Sequence, residues 1–231
     1  MKETIYETNK FDRNRSENYF YRIKGNDILE GEELEYAKSI FMKLYQEEQL
    51  TTTYQIYDKD EFHIEQGVIR IQNVEIPSKL FEHTSFRDII CIMVFLITIS
   101  DGNKKEELGM MRQYYESMWR YSALHGEQTR IIQKLTSDIM TEYNNQNVAH
   151  TQVLGPGYYG MALEENRKIY NLLNGEKMGI RLGSNNQYVP ENTICGLVAS
   201  FSSIEEDLKN IFLHPCQYCL SSSRNCGFCV K

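Results

Sequence analysis

The sequence lacks an apolar run long enough to cross a membrane. Its longest largely apolar stretch, Ile89 to Ile99, is about half of the roughly 20 residues that a membrane-spanning helix requires. The opening residues Met1-Lys2-Glu3-Thr4 are polar and charged, and they lack the apolar centre of a secretory signal. We therefore expect a cytoplasmic protein with no membrane partner.

The sequence also lacks an excess of positive charge. Lys and Arg number 25 against 32 Asp and Glu, which gives a formal net charge of -7 at pH 7. Proteins that bind nucleic acid without sequence preference need a basic field to displace counterions from phosphates. We therefore predict no nucleic-acid partner.

Several catalytic motifs are missing from the sequence. It contains no P-loop, no His-Glu-x-x-His segment and no recognisable Ser, His and Asp order, so the sequence gives no support for a hydrolase or a nucleotide phosphotransferase. Internal repeats and linker-like tracts are missing too. With 41% hydrophobic residues in a chain of 231, one folded domain is the expected organisation.

Hydrophobic periodicity predicts an α+β fold. Helical spacing of apolar residues recurs in four segments, residues 32–48, 108–119, 131–143 and 163–173. Shorter runs favour strands at residues 52–57, 62–64, 68–71, 178–182 and 193–201. The run Ile89 to Ile99 is continuous rather than alternating, which is typical of a central strand covered on both faces.

These segments predict a single domain with a mixed or antiparallel sheet flanked by long helices. We expect His125-Gly126 to separate the second helix from the third, and the first 31 residues to form an arm that packs on the body. The predicted domain covers residues 1–205, and residues 206–231 form a cysteine-rich tail.

Two Cys-x-x-Cys pairs lie in that tail, formed by Cys216 with Cys219 and by Cys226 with Cys229. Each pair holds two sulfurs at one tight turn, so four thiolates can surround one metal centre. The spacing fits zinc or an iron-sulfur cluster, and unligated or reversibly oxidised thiols remain a third interpretation. His214 is a candidate substitute ligand. The other two cysteines, Cys91 and Cys195, are predicted to be inert core residues.

A glycine-rich segment, Val153-Leu-Gly-Pro-Gly-Tyr-Tyr-Gly160, is a second candidate site besides the cysteine pairs. We expect it to expose backbone amides beside two tyrosine rings, which suits an adenine or another planar ligand. A tight turn without a ligand is the alternative interpretation, because Pro-Gly dipeptides are common in connections.

Four segments after residue 150 match the sequence pattern of a known protein family. They are Gly155-Pro-Gly-Tyr158, Leu163 to Leu173, Glu176-Lys-Met-Gly-Ile180, and Val189-Pro190 through Gly196. In order and spacing the chain resembles the activation domain of cobalamin-dependent methionine synthase, in its stand-alone form, over roughly residues 15–205. The cysteine tail is similar to one found on some stand-alone relatives.

This resemblance implies a domain that holds S-adenosylmethionine over the corrin ring of a partner, so that oxidised cobalt, once reduced by one electron, is methylated back to its active state. The implied role is that of an accessory activation subunit, and the implied partner is a corrinoid-binding methionine synthase or a related corrinoid protein that carries the cobalamin. A flavodoxin- or ferredoxin-type electron donor is also expected. The residues expected at the cofactor are Gly155, Gly157, Tyr158 and Tyr159.

The sequence departs from the family at two places. The family's ligand motif is Arg-x-x-x-Gly-Tyr, and Val153 stands at the arginine position; Asn192-Thr193 replaces an expected lysine-serine pair. Valine supplies neither charge nor donor. Either Gln152 or Arg181 holds the ligand instead, or the chain is a non-catalytic docking module with a structural zinc site of four cysteines. A thiol redox sensor in the tail is a further alternative.

Overall fold

The computed structural model describes residues 3–24, 29–100, 109–142, 148–203 and 209, and for residues 22–24 and 87 only the backbone. In chain order the helices and strands are β1 Ile5–Asn9, α1 Arg13–Lys24, α2 Gly31–Glu47, β2 Leu50–Asp58, β3 Phe62–Glu65, β4 Val68–Ile71, β5 Val74–Pro77, β6 Ile89–Ile99, α3 Met110–Glu142, β7 Ala149–His150, α4 Asn166–Leu172, β8 Arg181–Leu182, β9 Tyr188–Val189 and β10 Thr193–Phe201. Short 3-10 helices lie at Lys79–Glu82, Thr84–Asp88, Leu163–Glu165 and Gly175–Met178.

A five-stranded sheet in the order β1-β2-β6-β10-β7 forms the centre of the fold. Each neighbouring pair is antiparallel. The middle strand is β6, and all its residues except Ile90 are buried. Its side chains alternate between two cores, with Ile92 and Val94 in one and Met93 and Phe95 in the other. The predicted central, doubly covered strand is therefore confirmed.

Helices α1, α2 and α3 cover one face of this sheet. Trp119 of α3 stacks on Phe20 of α1 at a ring-centroid distance of 3.8 Å, and its Nε1 donates to the carbonyl oxygen of Ala37 in α2 at 2.9 Å. The core of the opposite face contains residues of α4 and of an antiparallel meander, β3-β4-β5. The α+β class, with an antiparallel sheet flanked by long helices, is confirmed.

The predicted break at His125-Gly126 is wrong, because α3 is continuous over 33 residues. Gly126 is buried inside this helix. A Cβ there would lie 3.1 Å from Cβ of Arg15 in α1. The glycine therefore permits close packing of two helices and does not end one.

The first part of the chain is more regular than the predicted arm. It forms an edge strand, β1, paired with β2, and a helix, α1, packed on α3. Another difference lies at residues 178–182, where only Arg181–Leu182 is extended and a 3-10 helix precedes it. The predicted strand at 193–201 coincides with β10.

No helix within the described ranges is long and apolar enough to span a membrane. The cysteine tail with Cys216, Cys219, Cys226 and Cys229, and His214 beside it, lie outside the described residues. The predicted boundary between residues 205 and 206 also falls there, so the division into domain and tail stays a prediction.

Candidate functional site

The glycine-rich segment forms a tight turn beside β10. The amide of Tyr158 donates to the carbonyl oxygen of Gly155 at 3.0 Å, and Gly157 has φ 92. Pro156 and Gly157 thus occupy the central positions of a type II turn. The amide of Gly157 donates to Met161 at 2.8 Å. These two amides are used within the turn, so the expectation that they face a ligand is wrong.

Close contact with β10 holds this segment in place. Leu154 and Leu197 exchange two backbone hydrogen bonds, at 2.9 Å and 2.8 Å. Behind Val153 the strand carries Gly196, where a Cβ would lie 2.5 Å from Val153 Cγ1. Only glycine leaves room for the segment to lie directly against the strand.

An open cavity of about 680 Å³ adjoins the turn. This volume is within the range of roughly 300–1,000 Å³ that small-molecule sites occupy. Helix α3 contributes Tyr121, His125, Gln128 and Ile132. The segment before and within the turn contributes Thr151, Gln152, Val153, Gly155, Pro156, Tyr158 and Tyr159. The remaining lining residues are Asn166, Tyr188, Thr193, Ile194 and Cys195.

Aromatic rings form much of this lining. The His125 ring lies 4.2 Å from that of Tyr121 and stacks on Tyr19 at 5.5 Å. Tyr159 is buried, and its hydroxyl donates to Gln152 Oε1 at 2.8 Å. In contrast, 55% of Tyr158 is exposed, which leaves its ring available to a ligand or a partner.

Tyr188, Cys195 and Asn166 form a hydrogen-bonded group in the cavity lining. The Tyr188 hydroxyl lies 2.9 Å from the carbonyl oxygen of Asn166 and 3.2 Å from Cys195 Sγ. The Cys195 thiol lies 3.4 Å from Asn166 Oδ1. Burial raises the pKa of Cys195 to about 12. The thiol therefore stays protonated near pH 7 and is a poor nucleophile.

The lining residues within the described ranges include no Asp, Glu, Lys or Arg. Burial lowers the pKa of His125 to about 4, opposed by a hydrogen bond with Gln128, so the imidazole is neutral at pH 7. Burial also raises the pKa of Tyr121 and of Tyr188. The described part of the cavity wall is therefore polar and aromatic but carries no formal charge at neutral pH.

The structure brings three of the four expected cofactor residues, Gly155, Tyr158 and Tyr159, to this cavity. Gly157 shapes the turn and is not a lining residue. Their role in binding a ligand stays a prediction. Of the two substitutes considered for the family arginine, Gln152 lines the cavity with Val153, whereas Arg181 is exposed on β8 and does not. Thr193 lines the cavity as well.

Sequence reasoning missed the contribution of α3. Tyr121, His125, Gln128 and Ile132 follow one another at intervals of four, three and four residues, which places them on one face of a helix. The signal was present but was hidden by the expected break at His125-Gly126. Cys91 is buried as predicted, whereas Cys195 is only partly so and lines the cavity. No group of His, Cys, Asp and Glu that suits a metal lies within the described residues.

Comparison with known proteins gives matches among solved structures. No family model matches the sequence, and no curated protein does. Among solved structures, the chain is similar to the crystal structure of the MetH reactivation domain bound to AdoHcy, with a TM-score of 0.54 and 12% sequence identity. The match covers 87% of this chain and 80% of that one. At this identity the likeness shows a shared fold alone.

Proposed function

We propose that this protein binds S-adenosylmethionine in the cavity beside the Gly155–Tyr158 turn and acts in the reductive reactivation of a corrinoid protein, such as cobalamin-dependent methionine synthase. One observation carries the proposal. The turn on which the sequence resemblance rests adjoins an open cavity of ligand size, in a fold similar to that of a reactivation domain bound to AdoHcy.

The residues of the cavity fit the larger part of such a ligand. An adenine ring is flat and packs well on tyrosine and histidine rings, five of which line the cavity. The amide side chains of Gln128, Gln152 and Asn166 can donate and accept hydrogen bonds with ring nitrogens and ribose hydroxyls. Cofactor-binding roles are accordingly proposed for Gly155, Tyr158 and Tyr159, with Gly157 fixing the turn.

The cobalamin in this proposal belongs to the partner. Because Tyr158 is largely exposed beside the cavity, a partner that presents a corrinoid can approach the bound ligand from this side. A flavodoxin- or ferredoxin-type donor would supply the electron. S-adenosylmethionine, when bound, supplies the methyl group, and the residues of this chain bind and orient it.

Calorimetric titration of the full chain with AdoHcy tests the proposal. We expect saturable binding at one ligand per chain, because a single turn and cavity form the site. A Gln128→Trp variant should abolish the heat, since the indole would fill the cavity lining, and Ser117→Trp on the exposed side of α3 should bind like the parent. No saturable heat at about millimolar ligand, the weakest affinity of interest here, contradicts the proposal.

Val153 favours a second candidate, a non-catalytic docking module whose tail is braced by zinc. A valine at the position of the family's arginine removes the charge that would pair with a carboxylate. Metal analysis with an absorption spectrum of anaerobically purified protein separates the two candidates. A coloured iron-sulfur centre on Cys216, Cys219, Cys226 and Cys229 suits electron transfer, whereas one colourless zinc suits bracing.

A further inference from the structure

The chemistry of the cavity wall points to which part of a ligand is recognised. Its described residues offer five aromatic rings and several neutral amide and hydroxyl groups, but no carboxylate, ammonium or guanidinium. We infer that the cavity binds the nucleoside portion of its ligand and leaves the aminoacyl tail in solvent, so that neutral 5′-thionucleosides are ligands in their own right. The inference rests on the proposed function, which places an adenosine-bearing molecule here.

The tail of AdoHcy is a zwitterion, with one ammonium and one carboxylate. Burying such groups is unfavourable unless each meets an opposite charge or a full set of hydrogen bonds. The histidine among the described lining residues, His125, is neutral because burial lowers its pKa to about 4. Arg181, although close in sequence to this site, is exposed and does not line the cavity. The tail therefore gains nothing by entering.

The nucleoside portion, unlike the tail, finds matching groups in the cavity wall. Tyr121 and His125 lie 4.2 Å apart on α3, and Tyr158 and Tyr188 line the cavity too, so a planar base finds aromatic surface. A ligand without formal charge avoids the large free-energy cost of burying an ion in an uncharged cavity. Hydrogen bonds from neutral amides are sufficient to orient a purine and its sugar.

Comparison of three ligands on the full chain tests this inference. Calorimetry with 5′-methylthioadenosine, which lacks the aminoacyl tail, should give a dissociation constant within about fivefold of that for AdoHcy. L-homocysteine, which is the tail alone, should show no saturable binding. If the dissociation constant for 5′-methylthioadenosine is more than about fivefold larger than that for AdoHcy, the inference is overturned but the proposed function stands. Failure of both 5′-methylthioadenosine and AdoHcy to bind overturns the proposed function itself.

The Gln128→Trp and Ser117→Trp pair locates the binding. Gln128→Trp, which fills the cavity, should lower the affinity for 5′-methylthioadenosine and for AdoHcy by more than about tenfold each. The exposed substitution Ser117→Trp should lower neither affinity. If Gln128→Trp weakens AdoHcy and spares 5′-methylthioadenosine, the tail and not the nucleoside occupies the cavity, and the inference is wrong.

Discussion

At the scale of single residues, His125 shows how burial sets the character of the site. The ring contacts those of Tyr19 and Tyr121, and burial lowers its pKa to about 4, against about 6.5 in an unfolded chain. Between these two values the unfolded state binds more protons than the folded state. Stability therefore rises with pH across this window and is lost as the pH falls.

We predict that the free energy of unfolding falls from pH 7 toward pH 4.5, with a slope approaching about 1.4 kcal/mol per pH unit for each such histidine. Burial lowers the pKa of His150 as well, which acts in the same direction. His125→Gln should make the slope shallower. Urea denaturation at stepped pH measures this, and equal slopes in the parent protein and the variant would contradict the account.

We predict that Val153 limits the affinity of the cavity for a zwitterionic ligand. Its side chain lines the cavity and packs over Gly196. A Val153→Arg substitution should raise the affinity for AdoHcy by about tenfold, because a guanidinium there can pair with the carboxylate of the ligand. Val153→Met, of similar length but uncharged, is the control and should change the affinity little. Equal effects of arginine and methionine in calorimetry would show that charge at this position does not matter.

At the scale of elements, α3 links the helical layer to the site. Gly126 lies where α1 crosses it, and the contact is extended by a hydrogen bond between Tyr19 and Thr129 at 3.1 Å and by one from Arg15 to Gln133 at 3.0 Å. A larger side chain at Gly126 would clash with Arg15 unless one of the two helices shifts. The same helix carries the cavity residues Tyr121 and His125 before Gly126, and Gln128 and Ile132 after it.

Gly126→Val is therefore predicted to destabilise the protein by about 2 kcal/mol through overpacking. Ser117→Val, at an exposed position of the same helix, should cost only the helix propensity of valine, which is below about 1 kcal/mol. Chemical denaturation compares the two. A cost at Gly126 no larger than that at Ser117 would show that α1 moves aside freely.

The elements also show what sequence reasoning can reach. The run from Ile89 to Ile99 was sufficient to predict β6, because a strand covered on both faces is apolar at nearly every position and so appears as a continuous apolar run. Strand β1 and helix α1 were not predicted, since an edge strand and a polar helix depend on partners far along the chain. Gly126 was misjudged because a glycine that permits helix packing resembles one that ends a helix.

At the scale of the whole molecule, the candidate site is assembled from parts of the chain that are distant in sequence. Residues 121–132 and 151–159, Asn166, Tyr188 and residues 193–195 meet only in the folded chain. The sequence resemblance covered residues 155–158, Asn166 and residues 193–195. Helical spacing could place Tyr121, His125, Gln128 and Ile132 on one face of α3, but only the tertiary structure shows that this face lines the cavity and that the described lining is uncharged.

The fold and the site together support one central claim, that an adenosine-bearing ligand occupies the cavity beside the Gly155–Tyr158 turn. A crystal structure of the full chain grown with saturating AdoHcy tests this claim most directly. The account predicts density for the adenosine portion among Tyr121, His125 and the turn, with the aminoacyl tail directed to solvent. AdoHcy bound elsewhere, or a cavity that holds only water at saturating ligand, would contradict it.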